Sequence, residues 1–218
     1  MQSQREDQKV KLVVFDLDGT LTKSPNIWRH LHTELGTWEY GRVFAKKYLS
    51  GEITYREWAE LDCGLWKGTE LAKILGVMSE IEYHDGATET VRKLKEAGLR
   101  VGIVSAGLSL LADRAGKDLG ADIVLSNRLV ESGGILTGEI DTKVSIDDKA
   151  KIIRGVATSL GISMSEVAVI GDNLFDMPEE AGIKIAFNPK SREAEDAADF
   201  VVRGDDLRKI LEFLLPKD

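Results

Sequence analysis

Short apolar segments alternate with longer amphipathic segments along most of this chain. Residues 11–18 (KLVVFDLD), 99–105 (LRVGIVS) and 167–171 (VAVIG) are short runs rich in Val and Ile, which is typical of strands buried on both faces. Residues 121–126 (ADIVLS) and 183–187 (IKIAF) are two further runs of this kind. The pattern therefore predicts five buried strands.

Segments with helical periodicity lie between these strands. In residues 87–97 the apolar positions recur at steps of four, three and three, and Gly98 follows as a helix terminator. Residues 152–160 repeat this spacing and end at Gly161. Because strands and helices alternate, we predict the α/β fold class, with a Rossmann-like, doubly wound parallel sheet that carries helices on both faces.

Residues 22–82 interrupt the alternation. They contain no convincing strand, glycines divide them into helix-length pieces, and Thr54 with Glu57 forms a capping-box signature. All four tryptophans fall in this interval, which indicates the core of a small helical bundle or, alternatively, a ligand pocket. We therefore predict two domains, a core of residues 1–21 and 83–218 and a helical domain of residues 22–82.

Residues 127–145 break the pattern a second time. Two alternating runs flank Ser132-Gly133-Gly134, which predicts a β-hairpin. Ser163 and Glu166 also match a capping box, but a strand follows them directly, so we expect no helix there.

Composition and charge narrow the classes of function. The 218 residues carry a formal charge of −8, which argues against a nucleic-acid partner. The single cysteine, Cys63, excludes an intramolecular disulfide, and the polar residues 1–9 do not resemble a signal peptide. No apolar run approaches the ~20 residues of a membrane helix. We expect a soluble cytoplasmic protein with no membrane segment and no obligatory protein partner.

Two pairs of carboxylates follow predicted strands. Asp16 and Asp18 stand two residues apart, so their side chains emerge on the same side, and two close carboxylates favour a divalent cation such as Mg²⁺ between them. Asp172 follows residues 167–171 and can reach the same ion. Asp176 can hold Asp172 or the water ligands of the ion in place. The alternatives are an ordinary Asp-Gly turn for the first pair and a helix cap with a surface carboxylate for the second.

A hydroxyl and an ammonium group complete the candidate chemistry. Ser105 ends a predicted strand, and its hydroxyl together with N–H groups of the next helix can seat a phosphate. Lys149 precedes residues 152–160, and its ammonium can offset the charge of carboxylates and phosphate. Taken singly, Ser105 also fits a helix cap, and Lys149 fits a solvated surface residue beside Asp147 and Asp148.

These features in this order resemble the haloacid dehalogenase-like phosphohydrolase superfamily. Residues 16–22 (DLDGTLT) match its first motif, Ser105 its second, Lys149 its third and residues 171–176 (GDNLFD) its fourth. The helical insertion resembles the C1-type cap of that superfamily. Together with the hairpin, the stretch HDGATETVRKLKEAG is most similar to the phosphoserine phosphatase-like branch.

The resemblance implies a role for each matched residue. Asp16 would be the nucleophile that forms an aspartyl-phosphate, and Asp18 the general acid and base. The carboxylates of Asp16 and Asp172 and the backbone carbonyl of Asp18 would hold Mg²⁺. The phosphate would be bound by the residues Gly19, Ser105, Ala106 and Lys149. The metal ligands would be supported by Asn173 and Asp176.

The implied activity is Mg²⁺-dependent hydrolysis of a small phosphorylated metabolite. Residues 23–28 carry no carboxylate to bind a substrate amine, and Phe175 stands where phosphoserine phosphatases have Asn, so both differences argue against phosphoserine. A phosphomutase and a catalytically silent binding or regulatory protein are the alternatives. We expect the polar residues of the insertion on solvated helix faces, namely Arg29, Arg42, Lys46, Tyr55 and Arg56.

Overall fold

The predicted strands form the centre of one seven-stranded sheet. A computed structural model describes residues 10–216, so the expectation for residues 1–9 lies outside the described residues. The strands are β1 (Leu12–Phe15), β2 (Arg100–Leu108), β3 (Ile123–Ser132), β4 (Ile135–Asp141), β5 (Val167–Gly171), β6 (Ile183–Phe187) and β7 (Phe200–Val202). Their order across the sheet is β4-β3-β2-β1-β5-β6-β7, and every pairing is parallel except that of β3 with β4.

Helices cover both faces of the sheet, as predicted. They are α1 (Ile27–Glu34), α2 (Trp38–Leu49), α3 (Tyr55–Leu65), α4 (Leu71–Ser79), α5 (Ala87–Glu96), α6 (Ser109–Leu119), α7 (Lys149–Ser159), α8 (Arg192–Ala197) and α9 (Leu211–Leu214). In β1, Val13 and Phe15 belong to one buried cluster, while Leu12 and Val14 belong to another. Because successive strand residues face opposite sides, both faces of the central strand are buried. The predicted doubly wound fold is confirmed.

The helical insertion and the hairpin are also observed. Helices α1–α4 lie between β1 and α5, and the capping box of Thr54 and Glu57 begins α3. Strands β3 and β4 pair in antiparallel fashion around residues 133–134. The division into two domains at residues 22 and 82 stays a prediction. Within the described part of the chain, no helix is both long and apolar enough to cross a membrane.

Element boundaries differ from the prediction in three places. Ser105 does not end its strand, because β2 continues to Leu108, which pairs with Asn127 of β3 after a register shift. The expectation that residues 121–126 form a separate strand before the hairpin is wrong. Strand β3 continues from Ile123 to Ser132, so it also forms the first arm of the hairpin. Lys149 does not precede its helix but is the first residue of α7.

The capping box at Ser163 is real, contrary to expectation. The Ser163 side chain and the Glu166 side chain cap a single 3₁₀ turn, Met164–Glu166, immediately before β5. Such a turn needs only three residues, so a strand can follow directly.

Candidate active site

The register of the sheet brings Asp16, Ser105 and Asp172 to one edge. Phe15 is aligned with Ile103 of β2 and with Ile170 of β5, and the N–H of Asp16 donates to the Ile170 carbonyl over 2.8 Å. The residues just beyond this level on the three central strands therefore leave the sheet side by side. The carboxyl ends of parallel strands form the crevice in which open α/β sheets bind ligands.

Three glycines at this edge leave room for carboxylates. A Cβ at Gly19, whose φ is +85°, would lie 2.2 Å from Asp172 Oδ2, and one at Gly171 would lie 2.2 Å from the Asp176 Cβ. A Cβ at Gly107 would lie 2.9 Å from Asp18 Oδ2. Side chains at these positions would displace the acidic groups, so glycine is required by close approach.

The acidic residues form a compact buried cluster that includes two lysines. One carboxylate oxygen from each of Asp16, Asp172 and Asp176 lies within 4.8 Å of the other two. Lys149 Nζ lies 2.5 Å from Asp16 Oδ1 and 2.5 Å from Asp176 Oδ1. Lys190 Nζ lies 2.7 Å from Asp172 Oδ2 and donates to the Pro25 carbonyl over 2.8 Å.

Burial and charge shift the pKa values in this cluster. Burial, followed by the charge of Asp16, raises the pKa of Asp172 to about 7. Burial also raises the pKa of Asp176, although the Lys149 ammonium opposes it. Burial alone would lower the pKa of Lys149, but the carboxylates of Asp16 and Asp176 hold it above its usual range. Lys149 is therefore a permanent cation at neutral pH.

Asp18 lines one cavity with the three clustered carboxylates but does not belong to their group. Its Oδ1 atom is buried without a hydrogen-bond partner among the described residues. Burial and the charge of Asp16 raise the pKa of Asp18 to about 7. A carboxyl group with this pKa can hold a proton near neutral pH and release it to a neighbouring atom.

Ser105 is held by a network that begins in the helical insertion. The carbonyl of Ala106 accepts hydrogen bonds from Trp28 Nε1, from the Tyr55 hydroxyl and from Asn127 Nδ2. That carbonyl shares a peptide plane with the N–H of Gly107, which donates to Ser105 Oγ over 2.9 Å. The three donors therefore fix the peptide that orients the Ser105 hydroxyl.

A cavity of about 110 Å³ opens over these residues. The sequence-predicted residues that line it are Asp16, Asp18, Ser105, Ala106, Lys149, Asp172, Asn173 and Asp176, whereas Gly19 is next to Asp172 but is not among the lining residues. Asn173 accepts from the Phe175 N–H, and its own N–H donates to Asp176 Oδ2 over 3.0 Å. The Asn173 backbone thus holds the Asp176 carboxylate.

Several lining residues were not predicted from the sequence. Lys190 follows β6 in a loop and carries no local pattern that points to a site. Trp28 and Trp58 line the cavity from α1 and α3 and are also buried. These two tryptophans therefore belong both to the core of the helical insertion and to the wall of a pocket. Tyr55 is 2% exposed, so its expected placement on a solvated face is wrong. The four charged residues predicted with it, Arg29, Arg42, Lys46 and Arg56, are exposed as expected.

The donor set suits a hard divalent cation. Asp16, Asp172 and Asp176 offer only carboxylate oxygens, the ligand type that Mg²⁺ prefers. Close carboxylates with raised pKa values gain most from a nearby positive charge. The residues present therefore fit such an ion.

Comparisons with known proteins agree with this geometry. A family model described as haloacid dehalogenase-like hydrolase matches residues 13–178. A phosphoserine phosphatase of Archaeoglobus fulgidus is 35% identical over 204 residues, which are 92% of this chain and 59% of that protein. A phosphoserine phosphatase of Methanocaldococcus jannaschii is 30% identical over 211 residues, 95% of this chain and 99% of that protein. A solved phospho-aspartyl intermediate analogue of a phosphoserine phosphatase has a TM-score of 0.82 at 28% identity. The match covers 95% of this chain and 100% of that one.

The chain belongs to the haloacid dehalogenase-like hydrolases. Within that family it is similar to phosphoserine phosphatases, which confirms the resemblance noted in the sequence and the prediction of a phosphatase-class enzyme. The chain spans less than two thirds of the Archaeoglobus relative and nearly all of the Methanocaldococcus relative.

Proposed function

We propose that this protein hydrolyses phosphate monoesters of a small metabolite through an aspartyl-phosphate on Asp16. The observation that carries the proposal is the environment of the Asp16 carboxylate, which is 11% exposed in a cavity and contacts the Lys149 ammonium at 2.5 Å. A buried carboxylate beside a fixed cation can approach a phosphate dianion, because the cation offsets the repulsion. The solved phospho-aspartyl intermediate analogue of a similar protein supports an aspartate as the nucleophile.

In the first chemical step an Asp16 oxygen attacks the phosphorus atom. The bond between phosphorus and the ester oxygen breaks, and Asp18 donates its proton to that oxygen, so the alcohol leaves neutral. The pKa of about 7 at Asp18 supports this acid role at neutral pH. An acyl-phosphate on Asp16 remains.

In the second step a water molecule attacks the same phosphorus atom. Asp18, now ionised, takes a proton from the water, and the bond between phosphorus and Asp16 breaks. Inorganic phosphate leaves, and both carboxyl groups return to their initial states. One residue thus serves as acid and then as base.

Lys149, Ser105 and the Ala106 N–H would bind the phosphoryl oxygens throughout. Mg²⁺ would be held by the carboxylates of Asp16 and Asp172 and the backbone carbonyl of Asp18, and it would supply electrostatic stabilisation of the transferring group. Asp176 and Asn173 would keep this arrangement in place. Residues 22–82 would act as a cap domain over the cavity, and we place the protein in the cytoplasm.

Turnover of p-nitrophenyl phosphate with Mg²⁺, followed by phosphate release from a panel of phosphorylated metabolites, tests the proposal. We expect hydrolysis of the chromogenic ester and of at least one metabolite. Exchange between sugar phosphate isomers without phosphate release would instead identify a phosphomutase. Absence of turnover on every ester would favour a binding protein.

Removal of divalent cations is expected to abolish this turnover. Excess EDTA should lower kcat/KM by at least about 100-fold, and added Mg²⁺ should restore it, because the clustered carboxylates otherwise repel the phosphate. Mg²⁺ should also raise the Tm of the wild-type protein, since a bound ligand stabilises the folded state.

Asp172→Ala should lose both responses to Mg²⁺. Asp196→Ala is the matched control, because Asp196 is an exposed carboxylate on α8. Full activity in EDTA, or an unchanged Mg²⁺ response in Asp172→Ala, would contradict the proposed ion.

Tyr55→Phe should lower kcat by up to about 10-fold, because it removes one of the hydrogen bonds that fix the Ala106 peptide. KM for p-nitrophenyl phosphate should change less, since Tyr55 is not among the residues that line the active-site cavity. Tyr40→Phe is the control, because Tyr40 is 63% exposed on α2. An unchanged kcat in Tyr55→Phe would exclude the positioning role.

A further inference from the structure

A second cavity lies inside the helical insertion. Its volume is about 100 Å³, and its walls include three indoles, Trp28, Trp38 and Trp58, together with His32 and Asp62. An engineered apolar cavity of about 150 Å³ accommodates benzene, so a space of this size suits a compact group of a few heavy atoms. Aromatic side chains and a buried carboxyl group therefore line the same cavity.

The second cavity adjoins the active-site cavity. Trp28, Trp58 and Asn26 line both cavities. The ring centroids of Trp28 and Trp58 are 5.3 Å apart, with a tilt of 43° between the planes. A ligand that fills the active-site cavity therefore contacts the same two indoles that bound the second cavity.

A chain of close polar contacts leads to Asp62. Trp66 Nε1 can only donate, and it donates to Thr37 Oγ1 over 3.2 Å. Thr37 Oγ1 lies 2.7 Å from His32 Nδ1. The other ring nitrogen, His32 Nε2, lies 3.1 Å from Asp62 Oδ2.

Asp62 and His32 form a buried pair. Their side chains are both 1% exposed. Asp62 Oδ1 has no hydrogen-bond partner among the described residues. Burial raises the pKa of Asp62, and His32 opposes that shift. A buried carboxylate oxygen without a partner is stabilised by a positively charged group that a ligand supplies.

The indole walls are suited to that cation. The Arg29 guanidinium already lies 5.1 Å from the Trp38 ring centroid, at the exposed side of the cavity. Faces of tryptophan attract organic cations most strongly among the aromatic side chains, and several faces together bind quaternary ammonium groups. Asp62 adds a carboxyl group to the cavity wall that Trp28 and Trp58 also line.

The active-site cavity offers no comparable site for a substrate carboxylate. The cations that line it in the described chain are Lys149, which contacts Asp16 and Asp176, and Lys190, which contacts Asp172. A carboxylate on the leaving group would have to compete with these buried partners. The lining therefore favours a leaving group with a positive charge and no negative charge.

We propose that the second cavity binds a quaternary ammonium group and that this group is the end of the substrate's leaving alcohol. The substrate class is then a phosphate monoester of a trimethylammonium alcohol that lacks a carboxylate. The cavity assignment stands on its own geometry, whereas the substrate class rests on the proposed function.

Binding of tetramethylammonium chloride to the 218-residue protein tests the cavity without any catalysis. Saturable quenching of tryptophan fluorescence is expected, with sodium chloride at equal ionic strength as the blank. Asp62→Asn should weaken the binding by at least about 10-fold, because the amide keeps the shape and removes the charge. Glu60→Gln is the matched control, since Glu60 is exposed on the same helix. Absence of saturation, or equal binding by Asp62→Asn and wild type, would overturn the site.

Hydrolysis of choline phosphate and of its neutral carbon isostere, 3,3-dimethylbutyl phosphate, tests the substrate class. The wild-type kcat/KM should favour the cationic ester by at least about 10-fold, and Asp62→Asn should remove that preference. Glu60→Gln should keep it. Equal kcat/KM values in a protein that turns over p-nitrophenyl phosphate would overturn the substrate class and leave the proposed function intact. Absence of turnover on all three esters would instead overturn the proposed function.

Discussion

The Asp16→Asn protein is expected to lose at least about 10⁴-fold of the kcat for p-nitrophenyl phosphate while it remains folded. An amide oxygen cannot form the aspartyl-phosphate, because it lacks the negative charge that attacks phosphorus. Asn has nearly the same shape as Asp, and Lys149 retains its contact with Asp176 at 2.5 Å. The loss should therefore appear in kcat and not in the Tm.

The assay is strengthened by a direct measurement of the intermediate. Wild-type protein that is quenched with acid during turnover should gain the mass of one phosphoryl group, and Asp16→Asn should not. Asp113→Asn is the matched control, because Asp113 is an exposed carboxylate on α6. Comparable turnover by Asp16→Asn and wild type would remove Asp16 from the nucleophile role.

Lys149→Met is expected to reduce both activity and stability. Lys149 is 5% exposed and neutralises two carboxylates, so its loss leaves Asp16 and Asp176 buried without their cation. Breaking a buried pair in this way costs about 3–5 kcal/mol, which lowers the Tm by roughly 6–20 °C in a chain of this size. Because pairing raises the pKa of Lys149, its stabilisation is complete at neutral pH and is lost only in strongly alkaline solution.

A second variant separates the structural effect of Lys149 from its effect on the phosphate. Lys149→Met combined with Asp176→Asn should recover part of the Tm, since one unpaired charge is gone, but not the activity. Lys151→Met is the control, because Lys151 is exposed two residues further along α7. The Tm loss of Lys149→Met should shrink in Mg²⁺ and at lower pH, where the carboxylates are compensated or protonated. An unchanged Tm would show that the cluster does not depend on this lysine.

The sequence predicts the strands and the residues at their ends, because both are local patterns. The Val- and Ile-rich runs indicate β1, β2 and β5, and the carboxylates that follow β1 and β5 indicate a cation site. The prediction for Ser105 was less accurate. The residue lies within β2, not at its end, because pairing of Leu108 with β3 extends the strand.

Contacts from the insertion were not predicted, because helical periodicity does not show what a helix faces. Tyr55 was expected in solvent, yet its hydroxyl donates to the Ala106 carbonyl, 51 residues away in the chain. Asp62 lies four residues before Trp66 on an ordinary amphipathic pattern. Its burial beside His32 depends on how α1 and α3 pack together.

The sequence by itself determined the class of fold, the helical insertion and the acidic residues at the strand ends, because hydrophobic spacing and short motifs act over a few neighbouring positions. Only the tertiary structure decided that Lys149 neutralises Asp16 and Asp176 together, that Lys190 reaches Asp172 and that three indoles and Asp62 line one cavity. These contacts join residues from distant segments. Their distances follow from strand register and helix packing, which local sequence does not specify.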